Sequence, residues 1–146
     1  MSSMPGDSFF LDTNILVYAN DGTNATKQTT AIRLIAEGIR NGQAVVSTQV
    51  LSEFWVTVTQ KIQITLDAEK AEKEIDRFKA MRIVSIEYET VRAAIHLQKR
   101  FQISYWDSLI ISAAAIAGCR VVYSEDLNTG QSYNGLSIVN PFTRTA

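Results

Sequence analysis

The chain has little of what most catalytic chemistries draw on. Its 146 residues hold one cysteine, Cys119, and one histidine, His96. A single cysteine forms no internal disulfide and fits a reducing compartment. Lying between Gly118 and Arg120 beside an apolar run, it reads as a packing residue. Without a Cys/His cluster a structural zinc site has no ligands. A serine triad would have to use His96, which falls inside a helical stretch, and no nucleophile-elbow sequence accompanies it. There is no glycine-rich loop to cradle phosphates, which argues against nucleoside-triphosphate chemistry. No apolar run approaches the length of a membrane span, since Ile110–Ala117 is short and Arg120 follows closely. The opening MSSMPGDS has neither the basic nor the apolar region of a secretory signal. A cytoplasmic protein without membrane contact is expected. Charge is nearly balanced, 14 Lys and Arg against 15 Asp and Glu, which argues against a broadly basic nucleic-acid-binding face. Any nucleic-acid contact has to be local. Repeats, linkers and low-complexity segments are absent as well.

What is present is ordinary globular composition, 46% hydrophobic and 20% charged. The length suits one domain with a real core. Residues 1–8 are expected to form a flexible tail and residues 9–146 the domain. The apolar Phe9–Leu11 predicts a short buried strand. Helices are expected at Ala25–Arg40, Gln49–Gln60, Ala68–Met81, Tyr88–Phe101 and Asp107–Ala117, and strands at Ala44–Ser47, Arg82–Ile86, Arg120–Ser124 and Leu136–Val139. In the first of these helices Ile32, Ile35, Ala36 and Ile39 recur at helical spacing. Asp126–Gly135 reads as a polar loop. Strands alternating with helices predict an α/β fold, a three-layer α/β/α sandwich around a mainly parallel five-stranded sheet. Ligands of such sheets gather at strand C-termini.

Asp12, Glu53, Asp107 and Asp126 stand out by position. Asp12 follows the first strand and Asp126 the fourth. Glu53 lies early in the helix after the second strand, and Asp107 opens the alanine-rich helix. Each has a plainer reading. Asp12 or Asn14 suits a helix N-cap, Ser104 to Asp107 resembles a capping box, Asp126 begins a turn with Asn128 and Gly130, and Glu53 suits a helix dipole. Together the plain readings weaken. Glu53 is flanked by Leu51, Phe54 and Trp55, and Asp107 by Trp106, Leu109 and Ile110, with few cations nearby in sequence. Clustered carboxylates raise one another's pKa values, and a divalent cation relieves the repulsion. All-oxygen ligation suits Mg2+ or Mn2+. Such sites serve phosphodiester hydrolysis, because the ion acidifies water and stabilises the leaving oxygen. Lys27, Arg33, Lys61 and Arg100 are candidates to line a nucleic-acid path, each with a solvated-surface role as the plain alternative.

The segments FFLDTNILVYA (9–19), STQVLSEF (47–54), ISYWDSLIISAAAIAGC (103–119), VVYSEDLNTGQ (121–131) and IVNPF (138–142) together resemble the PIN-domain family, in particular its VapC-like toxin ribonucleases. The ordered set is specific, although no single motif is. The resemblance implies the same three-layer fold and a Mg2+- or Mn2+-dependent endoribonuclease. Asp12, Glu53, Asp107 and Asp126 are then the catalytic, metal-holding acids, with one or two ions. Asn14 orients the first acid, and Ser124 positions the last acid or a bound water. Glu125 is adjacent to Asp126, so either could face the metal, and the motif alignment favours Asp126. The resemblance further implies an RNA substrate, a small antitoxin partner and a homodimer. Two other classes compete. A non-catalytic PIN-like module would bind RNA or protein without cleavage. A phosphotransfer domain would use Asp12 as nucleophile, but the phosphatase pattern wants an Asp where Asn14 stands, and a receiver wants a mid-chain strand-end Asp where Glu53 lies in a helix.

Overall fold

The computed structural model describes residues 7–143. Strand β1 (Phe9–Leu11) runs directly into α1 (Thr13–Ala19), and α2 (Ala25–Arg40) leads to β2 (Ala44–Ser47). Then come α3 (Thr48–Gln60), α4 (Ala68–Phe78), β3 (Arg82–Val84), α5 (Tyr88–Phe101), α6 (Tyr105–Ile116), β4 (Val121–Tyr123), β5 (Ser132–Tyr133) and β6 (Leu136–Val139). The strand order is β3-β2-β1-β4-β6-β5. All neighbours are parallel except β5 and β6, which form an antiparallel hairpin. The expected three-layer α/β architecture is therefore present. The sheet has six strands where five were expected, because the expected loop 126–135 contains β5. That strand is two residues long and its turn puts Asn134 and Gly135 at positive φ (54° and 90°), so it carries almost no periodic signal.

Helix α1 packs on both α2 and α3, and α3 on α4, while α5 and α6 form a second layer with α6 against β2 and β4. The core consists of Phe10, Leu11, Val45, Val46 and Val122 from the sheet, with Ile15, Leu16, Val50, Phe54 and Ile111 from the helices. The alanine-rich α6 buries every residue from Ser108 to Ala114, as expected of a helix apolar nearly all round. Cys119 is buried, a packing residue as expected.

Helix α2 faces differently from its isoleucine pattern. Its buried positions are Ala31, Ile35 and Gly38, while Ile32 is 50% exposed. The cause is Gly38. A Cβ there would lie 2.7 Å from the Ala44 Cβ and 2.8 Å from the Phe9 ring, so the helix backbone rests directly on β1 and β2. Ile32, Ala36 and Ile39 instead line an open cleft toward Phe78 of α4. His96, expected to be structural, lies on the exposed side of α5. The expected tail at 1–8 falls outside the described residues apart from Asp7 and Ser8. Of these, the Asp7 carbonyl accepts from Gln43 Nε2 and Ser8 is buried.

Strand order reverses between β1 and β4: the chain lays β2 and β3 on one side of β1, then crosses to β4 on the other. Such a switch point opens a crevice at the strand C-termini. Asp12 follows β1 there, and Ser124 to Asp126 follow β4.

Candidate active site

Asp12 ends β1 and caps α1, its Oδ1 accepting from the Thr13 amide at 2.7 Å. The plain reading of Asp12 as a cap thus holds. Its other oxygen is the informative one. Oδ2 accepts from Ser124 Oγ at 2.7 Å and faces Asn14 Nδ2 at 3.5 Å. The same Asn14 nitrogen donates to Asp126 Oδ2 at 3.1 Å. One amide therefore holds two carboxylates from different strand ends. Its orientation is fixed from behind, because Asn14 Oδ1 accepts the Glu125 amide at 3.1 Å. Ser124 is fully buried and accepts the amides of Asp126 and Leu127, both at 3.1 Å, which folds the chain after β4 back over Asp12.

Glu53 reaches the same place from α3. Thr13 Oγ1 donates to its Oε1 at 2.6 Å, and Gln49 Nε2, one helical turn back, to its Oε2 at 3.3 Å. That Gln49 nitrogen also approaches the Trp106 carbonyl at 3.4 Å, tying α3 to the start of α6. Gln49 Oε1 is consequently turned away, buried and without a donor. Asp107 stands in the first turn of α6, its amide bonded to the Ser104 hydroxyl at 3.1 Å.

Electrostatics join the four acids. Asp12 is 8% exposed, and burial pushes its carboxyl from 3.8 to about 6. Hydrogen bonds from Ser124 and Thr13 oppose the rise, while the charges of Asp126 and Glu53 add to it. Asp107 is also raised, by burial first and then by Asp126 and Glu53, against a hydrogen bond with Ser104. A bound cation would offset both the burial and the mutual repulsion that raise these carboxyls. The donors are all oxygen, so the set fits a hard divalent ion such as Mg2+ or Mn2+. Among the described residues no three acids converge tightly enough to chelate an ion as they stand. Thr13 and Gln49 engage Glu53, and Asn14 engages Asp126.

Glu125 and Asp126 part company. Glu125 turns to α1 and α2, where Tyr18 Oη donates to it and Lys27 forms an ion pair with it. The Lys27 ammonium also sits 4.8 Å from the centre of the Tyr18 ring. Burial pulls the Glu125 carboxyl up, but the bonds from Lys27 and Tyr18 outweigh it and leave it lowered. Asp126 is the one that meets Asn14 and the other acids.

Thr13, Gln49 and Tyr18 were not among the expected site residues, and Lys27, expected only as a candidate to line a nucleic-acid path, instead pairs with Glu125. Gln49 was legible as the residue one turn before Glu53, and Thr13 as the neighbour of Asp12. Lys27 and Tyr18 carry no local signal, since they meet Glu125 across 98 and 107 residues of chain.

The family model for the PIN domain matches residues 9–130. The chain belongs to the PIN-domain family. No curated protein sequence matches it significantly. Among solved structures it is similar to the sarcin-ricin loop cleaving toxin VapC20 of Mycobacterium tuberculosis, with TM-score 0.65, 18% identity, and 82% of this chain and 90% of that one covered. It is also similar to a chain of a toxin–antitoxin complex from Klebsiella pneumoniae, with TM-score 0.65, 15% identity and coverages of 92% and 98%. A third is DNA-bound VapBC from Salmonella typhimurium, with TM-score 0.64, 15% identity and coverages of 90% and 96%. At these identities the likeness is one of fold. The PIN chain has no helix long and apolar enough to cross a membrane among its described residues.

Proposed function

We propose that this PIN domain, residues 9–146, is a divalent-metal-dependent endoribonuclease and the toxin of a toxin–antitoxin pair. The observation that carries the reading is the Asn14 amide spanning Asp12 and Asp126 at the sheet's switch point, with Glu53 brought alongside by Thr13. Asp12, Glu53, Asp107 and Asp126 would hold Mg2+ or Mn2+. A bound ion supplies a more acidic water and charge stabilisation at phosphorus and at the leaving oxygen. The chain's own groups do the positioning. Asn14 keeps the Asp12 and Asp126 carboxylates aimed at one space, Ser124 donates to Asp12 Oδ2, and Thr13 aims Glu53. Asp12 holds a proton below about pH 6, so the ionised acid that a cation needs is present at neutral pH. No side chain is required as a nucleophile.

The similar structures point to the partners. A toxin that cleaves the sarcin-ricin loop and toxins in complex with their antitoxins favour an RNA substrate and a small antitoxin here, in the cytoplasm. A homodimer belongs to the same reading. The test is cleavage of a mixed RNA pool with Mn2+ by the wild type, Asp12→Asn and Asp107→Asn. Metal-dependent cuts lost in both variants support the nuclease. A folded, partner-free wild type that cuts nothing but still binds RNA returns the chain to the non-catalytic module.

A further inference from the structure

Two acids of the cluster, Glu53 and Asp126, line a groove that continues along α3. One lobe, about 400 Å³, is lined by Thr13, Glu53, Thr57 and Lys61 among others, and the next, about 330 Å³, by Thr13, Asn14, Thr57 and Asp126. Thr13 and Thr57 belong to both, so the lobes are one path. Its floor is acidic, and a polyanion entering it is repelled unless attraction comes from beside the acids. One side chain on the path and one beside the start of α3 can supply that attraction.

Lys61, just past the end of α3, is the one cationic side chain lining either lobe among the described residues. It makes no ion pair there, whereas Lys27, the other cation close to the acids, is engaged by Glu125. At the opposite end of α3 stands Trp106, 62% exposed although it is the largest side-chain type in the chain. Its position is anchored. The ring meets Tyr105 edge to face at 5.2 Å, and its carbonyl shares the Gln49 Nε2 that also contacts Glu53. Gln49, Glu53, Thr57 and Lys61 follow one another at intervals of four along the helix, so the distance between the two ends is roughly 18 Å. Indole offers a face to any nucleobase, and an ammonium offers a point charge to a phosphate.

We propose that α3 is the track of a single-stranded RNA, with an unpaired base stacked on Trp106 and a backbone phosphate held by Lys61 on either side of the acid cluster. The inference rests on the nuclease reading and adds the substrate's conformation to it. A base can lie flat on Trp106 only if it has left its own stack, so loops and unpaired segments are selected over duplex.

The test uses short fluorescent oligoribonucleotides. Binding is read by anisotropy in the Asp12→Asn background without metal, and KM and kcat in the wild-type background with Mn2+. Trp106→Ala should weaken binding roughly 5- to 140-fold and raise KM with kcat little changed, leaving the salt dependence as it was. Trp106→Phe should restore most of the loss, which a merely structural role would not produce. Lys61→Ala should flatten the slope of log affinity against log salt by about 0.7, the value for one phosphate on a single strand, and Lys61→Arg should keep it. A wild type that cleaves RNA while both alanine variants match it in affinity, KM and salt slope overturns the track and leaves the nuclease standing. A wild type that neither binds nor cleaves overturns the nuclease reading and the track with it.

Discussion

Neutralising Asp12 should stabilise this protein at neutral pH, although it removes a central acid of the site. The carboxyl ordinarily titrates at 3.8 and here at about 6. At about 1.4 kcal/mol per pH unit between those values, its ionisation costs the metal-free fold roughly 3 kcal/mol. The sign follows from proton binding. Between pH 3.8 and 6 the folded state binds the proton more tightly than the unfolded one, so stability is greatest below that window and falls as pH rises through it. Asp12→Asn removes the charge and keeps the cap, since an amide oxygen accepts from Thr13 as well as a carboxylate oxygen does. It loses the bond from Ser124, worth about 1 kcal/mol. The net expectation is a gain of about 2 kcal/mol at pH 7.5 in EDTA, or roughly 4–8 °C in Tm for a domain of this size. Urea unfolding of both proteins at pH 7.5 and pH 4 reads it directly. The advantage should vanish near pH 4, and added Mg2+ should narrow it at pH 7.5 by stabilising the wild type alone. A variant less stable than wild type at pH 7.5, or an advantage independent of pH, would refute the claim that Asp12 is held ionised against burial.

Ser124→Ala leaves the part-buried Asp126 amide and the buried Leu127 amide without their acceptor and should cost about 1–3 kcal/mol in urea unfolding. It also removes a bond that lowers the Asp12 pKa, so the wild-type loss of stability between pH 4 and 7 should steepen. Lys27→Met releases Glu125, whose amide steadies Asn14, and should lower Mn2+ affinity by roughly 10- to 100-fold in calorimetry while the unfolding midpoint moves little. Burial pushes the Cys119 thiol up to about 11, so a thiol reagent at pH 7.5 should label it only after denaturation; rapid labelling of the native protein would contradict its packing role.

Much of this was legible in the sequence because its signals are local. The apolar FFL followed by an acid predicts a strand end, and the alanine-rich run after Ser104 predicts a buried helix. Both are present. Asp12 was legible as following the first strand and Asp126 the fourth, and the two meet because β1 and β4 are neighbours. What was not legible depends on pairs far apart in the chain. Which of Glu125 and Asp126 meets the other acids is decided by Lys27 and Tyr18 taking the first. The orientation of α2 is decided by Gly38 resting on Phe9 and Ala44, which overrides the isoleucine spacing. The two residues of β5 are too few to alternate, and the hairpin exists because Leu136 and Tyr133 pair and bury together.

The strand order has a dynamic meaning. Sheets open from their edges, and here the edges are β3 and the two-residue β5. The strands that end in Asp12 and Ser124, β1 and β4, are each flanked on both sides. Fraying of either rim can come and go without disturbing the acids. In hydrogen exchange the amides of Leu11 and Tyr123 should therefore be among the last to open, so that the reaction centre is mounted on the slowest-breathing part of the molecule.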